Sequence, residues 1–321
     1  MQMKWSLLAL LAVIFIAGCV GQSGGKAVRL VSNDGLQIMD FFAEPISVEV
    51  GDTVVFNMQV ENVGGTEAQN VVARLLGVEG QWTQVTGGFP LIQNLGNMEA
   101  PNPDFNQPGD SEQATWVYRT PEIPPGLKVP MQVTAEILYT YNTSGVITIR
   151  TVGETFLETE YQPKGKVPAG PQVINTYAPV QIKMNDRFTD YYIRVKEDAR
   201  DQQIQTFPIL IELQNVGSGF PITDGSPGTI YGTIRLRGPG GPVWEECLGN
   251  SGSANAEIEP NTLGAEIAQL RESRGKAVIS CTISVNKDAF VLTDESIQID
   301  FFLIYRYYIQ KPLTVEVSSY P

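Results

Sequence analysis

The sequence predicts an all-β fold: two tandem antiparallel β-sandwiches behind an N-terminal signal peptide, with one short helix in the second. Two observations lead there. In Val48–Leu76, VEVGDTVVFNMQVENVGGTEAQNVVARLL, the residues Val54, Phe56, Met58 and Val60 alternate with Val55, Asn57, Gln59 and Glu61. Period-two alternation puts a mostly apolar row and a mostly polar row on opposite faces of a half-buried strand. The run stops at Asn62-Val63-Gly64-Gly65, residues that tolerate the left-handed backbone of a turn, and a second strand-like run follows from Asn70 to Leu76. The second observation is that the pattern recurs: PILIELQNVGSG, a longer turn and TIYGTIRLR occupy Pro208–Arg237.

Composition bounds the function. The chain of 321 residues is 42% apolar and 9% aromatic, enough for packed cores and for two domains. A formal net charge of −13 repels phosphate backbones, so nucleic acid is not an expected partner. Histidine is absent. Its absence removes histidine general acid/base chemistry, Ser-His-Asp and Cys-His nucleophiles, and histidine-ligated metals.

Taken in order, residues 1–18 open with MQMK and continue as an uncharged apolar run, WSLLALLAVIFIAG, short for a permanent span and the right length for a signal-peptide core. The run ends in Ile16-Ala17-Gly18-Cys19, which resembles the lipobox of bacterial and some archaeal lipoproteins. That resemblance implies a lipid on Cys19, which becomes the mature N-terminus; the alternative is an ordinary export signal or an uncleaved anchor, with Cys19 incidental. Residues 19–27 then form a tether. The chain is in either case expected outside the cytoplasm.

The first sandwich is expected over 28–161. Asn33-Asp34-Gly35 is a turn before the first strands, and Gly77–Gln113, rich in Gly, Pro and Asn, reads as a long surface loop with one short strand at Leu91–Leu95. PEIPPG at 121–126 makes a corner that no helix crosses. Met131, Val133, Ala135, Ile137, Tyr139 and Tyr141 alternate with Gln132, Thr134, Glu136, Leu138 and Thr140, and Asn142-Thr143-Ser144-Gly145 reads as the tip of a hairpin leading into VITIRTV. Asn142 heads the only N-x-S/T sequence, so it is a candidate glycosylation site at an exposed tip, or simply a turn asparagine. QPKGKVPAGPQ, 162–172, is the expected inter-domain linker.

The second sandwich is expected over 173–321. Asn62-Val63-Gly64 aligns with Asn215-Val216-Gly217, and YTYNTSGVITIRTV aligns with YRYYIQKPLTVEVS, with extra residues between the landmarks in the second copy. That added region holds Cys247 and Cys281, which in an exported chain are expected to pair; closing a loop of roughly 35 residues restricts the unfolded state by about 3–4 kcal/mol. Leu263, Ile267 and Leu270 supply the helical stripe.

The N-x-G turn between alternating strands resembles the CARDB-type Ig-like repeats of archaeal and bacterial surface proteins. That resemblance implies Ig-like β-sandwiches acting in adhesion or as spacers, although the 77–113 loop and the cysteine-bearing insertion are longer than a minimal repeat needs.

Reactive constellations are sparse. Ser273–Lys276 and Ser284–Lys287 fit S-x-x-K without its partner motifs, and RGPGGP at 237–242 leads from a strand into loop, unlike a phosphate loop. Asp104, Asn106, Asp110 and Glu112 are hard oxygen donors in one loop but lack EF-hand spacing, so no metal is expected. Tyr139, Tyr141, Tyr305 and Tyr307 read as core, with a carbohydrate-stacking surface as the rival. Glu245-Glu246 are adjacent on a strand and therefore expected on opposite faces. The expectation is a non-catalytic, lipid-anchored binding or scaffolding protein without cofactor, held on the membrane by Cys19 and meeting a protein or glycan partner. The alternatives are an accessory or solute-binding lipoprotein of a surface complex such as a transporter, and a carboxylate-based hydrolase.

Overall fold

The alternating rows form the strands expected of them. A computed structural model describes residues 31–320 apart from 86–89, 189, 197–202, 224–225, 228–229, 250, 259–274 and 292. The first half of the chain contributes β1 (Leu36–Glu44), β2 (Ser47–Glu49), β3 (Thr53–Asn62), β4 (Ala68–Leu76), β5 (Thr83–Gln84), β6 (Ile92–Met98), β7 (Ser111–Arg119) and β8 (Lys128–Gly153). The second contributes β9 (Gln172–Asn175), β10 (Val180–Met184), β11 (Ile193–Val195), β12 (Ile204–Asn215), β13 (Phe220–Thr223), β14 (Ser226–Pro227), β15 (Tyr231–Arg237), β16 (Val243–Cys247), β17 (Asn255–Ile258), β18 (Lys276–Asn286) and β19 (Asp294–Ser318). Val54, Phe56, Met58 and Val60 are all buried on β3, and the equivalent Ile209, Ile211 and Leu213 are buried on β12.

The duplication is visible in the pairing. One four-stranded sheet has the order β1-β3-β7-β5 and the other β10-β12-β18-β16, so each position of the first has its counterpart in the second. Both lie over a single sheet of 11 strands. In that sheet β4 lies beside β8 with β6 outside it, and β15 lies beside β19 with β17 outside it. Gln69 is the register partner of Thr140 as Ile222 is of Arg306, so β13 and β15 together stand where β4 stands, separated by an insertion. Even the short parallel strands correspond, β2 on the end of β19 and β11 on the end of β8.

What joins the halves is the pair β8–β19. It runs without a break from Val152↔Asp294 to Lys128↔Ser318. At about 3.3 Å per residue, β8's 26 residues span roughly 85 Å. Each half's last strand therefore continues into the other's sandwich. The segment 162–172 lies between the halves in sequence, and β9, which begins at its end, adds to β8 over Gly145–Thr148.

Three local expectations need correction. There is no hairpin at 142–145: Asn142, Thr143, Ser144 and Gly145 are paired within the strand to Ile304, Leu303, Phe302 and Phe301. Pairing with β19 on one side, and on the other Thr176 N donating to Ser144 O (2.9 Å) and Ser144 N to Thr176 Oγ1 (3.1 Å), holds the backbone extended there, which outweighs the turn preference of Asn and Gly. The 77–113 segment holds more structure than one short strand, because β5, the longer β6 and the start of β7 fall within it. Glu245 and Glu246 are both exposed, because a bulge between Trp244 and Glu246 inserts a residue and resets the alternation. The helix expected near 263–270 and Cys19 lie outside the described residues.

Candidate functional site

Two places in the fold concentrate polar side chains. The first is the junction of the halves, where Tyr139 and Tyr307, and Tyr141 and Tyr305, are directly opposed across β8–β19. All four are almost fully buried, so these aromatics are core and not a stacking surface. Their rings meet edge-on or tilted at centroid distances of 5.7–6.1 Å.

Each buried hydroxyl has a backbone loop to satisfy it. Tyr139 Oη donates to Asp34 O (3.0 Å) and accepts from Leu36 N (3.2 Å), while Tyr141 Oη accepts from Thr66 N (3.2 Å). In the second copy Tyr305 Oη accepts from Val180 N (3.2 Å) and Tyr307 Oη accepts from Gly219 N (3.0 Å). Tyr307 Oη also donates to Asn215 Oδ1 (2.8 Å). Burial raises the pKa of all four phenols above the ordinary tyrosine value.

The Asn-Val-Gly motif is therefore not a left-handed turn. None of Asn62, Val63, Gly64 or Gly65 has positive φ. Asn62 is fully buried and its amide closes the loop, Nδ2 donating to Thr66 O (3.0 Å) and Met98 O (2.8 Å) and Oδ1 accepting from Gly64 N (3.0 Å). Asn215 repeats the first of these to Gly219 O (2.8 Å). Glycine is required for closeness: a Cβ at 64 would lie 2.0 Å from Tyr141 Oη, and one at 217 would lie 2.7 Å from Tyr307 Oη. The two turns also contact one another's half, Ser218 N donating to Asp34 Oδ1 (2.9 Å), Gly65 N to Tyr177 O (2.7 Å) and Gln181 Nε2 to Asn33 Oδ1 (2.8 Å).

The second place is a cleft of about 310 Å³ on the outer face of the first four-stranded sheet. Register brings its lining together in two rows, Asp40–Gln59–Gln113 and Phe42–Asn57–Thr115. A bulge between Ile38 and Asp40 makes this possible, since it shifts the phase of β1 so that Asp40 and Phe42 face outward while Phe41 is buried. Thr115 Oγ1 donates to Asn57 Oδ1 (3.0 Å) and Gln59 Nε2 donates to Ser111 Oγ (3.0 Å). Asn57 and Gln59 were visible in the sequence only as the polar row of a strand.

The remaining sequence-predicted residues fall elsewhere. Cys247 and Cys281 form a disulfide between register partners on β16 and β18, Cα–Cα 4.4 Å. A disulfide suggests an extracytoplasmic location. Asn142 lies mid-strand in the central sheet, not at a tip. Of the four oxygen donors, Asp110 Oδ2 accepts from Glu99 N (2.8 Å), and among the described residues no group of three or more His, Cys, Asp or Glu is arranged to hold a metal. Ser284 is buried within β18, and RGPGGP runs from β15 into a turn. No helix among the described residues is long and apolar enough to cross a membrane.

No family profile matches the chain, and no curated protein matches it. Among solved structures, a secreted serine protease of Vibrio cholerae is 10% identical over 83% of this chain and 50% of its own, with a TM-score of 0.21. An alkylpurine DNA glycosylase of Pseudomonas fluorescens bound to DNA with an abasic site analogue is 10% identical over 33% of this chain and 27% of its own, TM-score 0.19. A Salmonella alpha-2-macroglobulin is 8% identical over 90% of this chain and 16% of its own, TM-score 0.18. The chain spans half or less of each of these proteins, and likenesses this distant transfer neither fold nor activity.

Proposed function

We propose that this protein is a lipid-anchored binding and scaffolding module of the outer cell surface, with no catalytic role. The observation that carries the reading is the continuous β8–β19 pair, which runs through both sandwiches and leaves no free hinge between them. Two sandwiches so joined make a stiff bar of roughly 85 Å, a shape suited to holding a binding face at a set distance from the membrane. Three features support the address and class: the disulfide, the Ile16-Ala17-Gly18-Cys19 sequence with its lipobox resemblance, and the CARDB-type, Ig-like pattern at the two N-x-G turns. In this reading Cys19 carries the lipid, residues 20–27 are the tether, and loops and sheet faces meet a protein or glycan partner.

The test is mass spectrometry of protein extracted from membranes. The expected result is a chain beginning at a lipid-modified Cys19, with the same spectra reporting on sugar at Asn142. A cytosolic chain with intact, unlipidated Met1 would overturn the reading.

A further inference from the structure

The outer cleft of the first sheet differs from its counterpart in the one way the fold does not explain. We propose that it is a binding site for a neutral saccharide, with Phe42 supplying the stacking ring and Asn57, Gln59 and Gln113 the hydrogen-bonding amides. The internal repeat acts as a control. By register, the positions of Asp40, Phe42, Asn57, Gln59, Gln113 and Thr115 are those of Lys183, Asn185, Leu210, Glu212, Val278 and Ser280 in the second copy. There Glu212 is ion-paired with Lys276 at 2.8 Å, and the six matching positions hold no aromatic and no glutamine. The same sandwich therefore folds without the amide rows.

The chemistry selects the ligand class. The cleft lies on the outer face of β1, β3 and β7 and is lined by their outward side chains; β1 is the edge strand of the sheet, and β3 between them has ladder partners on both sides. A peptide adding as a strand would pair with the backbone at the edge of β1, beside the side-chain rows and not over them, and is a competing outcome in the binding test. A primary amide donates and accepts at once, as does a sugar hydroxyl, and three amides with Thr115 and the Asp40 carboxylate make a field of paired donors and acceptors. Phe42 is 38% exposed at the cleft, an apolar surface matching the C–H face of a pyranose ring. Asp40 and the net charge of −13 disfavour sulfated or carboxylated sugars. The volume is at the low end for ligand clefts, about 300–1,000 Å³, which suits a short glycan segment.

This inference deepens the surface-binding reading, and its test is independent of the anchor. Saturation-transfer NMR would be run on the full-length purified protein with maltotriose, cellotriose, mannotriose and N-acetylchitotriose, beside a sulfated heparin trisaccharide and an extended Gly-Ser peptide. The expected result is transfer to at least one neutral trisaccharide, with affinity lowered about tenfold or more by Phe42→Ala and by Gln113→Leu. Ser280→Ala, at the exposed second-copy position that matches Thr115, should leave affinity unchanged. Both test substitutions are at exposed positions, and an unchanged circular dichroism melt separates lost binding from lost folding. Transfer to no neutral trisaccharide, transfer only to the sulfated sugar or the peptide, or undiminished affinity in both variants would overturn the proposal. Residue 19's mass reports the anchor separately, so either idea can fail while the other stands.

Discussion

Replacing Gly64 with alanine tests whether the repeated Asn-Val-Gly motif exists to let a tyrosine hydroxyl approach the backbone. Gly64 does not need positive φ, so an alanine there carries no backbone strain and by itself would gain about 0.4–1 kcal/mol from a less flexible unfolded chain. Against that, its Cβ would lie 2.0 Å from Tyr141 Oη and 2.8 Å from Gly35 Cα. Overpacking of this kind costs about 1–3 kcal/mol. Pushing the phenol away also strips the partner from the half-buried Thr66 N, about 1–3 kcal/mol more where water does not replace it. The net is a loss of about 1–6 kcal/mol, centred near 3, or at roughly 2 °C per kcal/mol a Tm lowered by about 2–12 °C. Guanidinium and thermal unfolding of Gly64→Ala, Tyr141→Phe and the double variant would measure it. The double variant should be less destabilised than the sum of the two singles by about 1 kcal/mol or more, because removing the hydroxyl makes room for the methyl. A neutral Gly64→Ala, or strict additivity, would refute the reasoning.

Two further outcomes follow from the same structure. Burial raises the phenol pKa of Tyr139, Tyr141, Tyr305 and Tyr307 above the unfolded value near 10, so their contribution to stability is complete below about pH 10 and is lost as pH rises from there toward the folded values. Each should cost about 1.4 kcal/mol per pH unit in that window. Tyrosine Cζ NMR shifts should stay at neutral values until the circular dichroism signal collapses, and ionisation of these four in a folded chain would contradict the assignment. The disulfide ties β16, at the edge of its sheet, to β18 across a sequence separation of 34; replacing both cysteines by serine should lower stability by about 3–4 kcal/mol in denaturant titrations.

The strands were legible because period-two alternation survives wherever one face is buried, as at Val54–Val60 and Val133–Tyr141. The duplication was legible from Asn62-Val63-Gly64 and Asn215-Val216-Gly217. The false hairpin at 142–145 had its correction in plain view: the alignment of the copies matches Asn142-Thr143-Ser144-Gly145 with Tyr308-Ile309-Gln310-Lys311, which no turn would favour. The alternation Tyr139, Tyr141, Thr143, Ile147, Ile149 also keeps its phase through the supposed tip. Composition read locally outweighed both signals. The shared sheet was not legible, because which strand pairs with β8 is decided by residues more than a hundred positions away. The cleft was hidden for a related reason. Its lining comes from three strands separated in sequence, and Asp40 and Phe42 reach it through a bulge that alternation does not reveal. Alternation marks the aromatic rows as core, where all four rings lie, but carries no sign that each hydroxyl is matched to a loop.

The account depends most on the two sandwiches being one body, joined by an unbroken pair of strands. Native-state hydrogen exchange of the amides in Tyr139–Val146 and Asp300–Tyr307 tests it most directly. Protection equal to that of the sheet interiors, released only in global unfolding, is the predicted result. Fast exchange across this stretch, with the two halves opening independently, would contradict it.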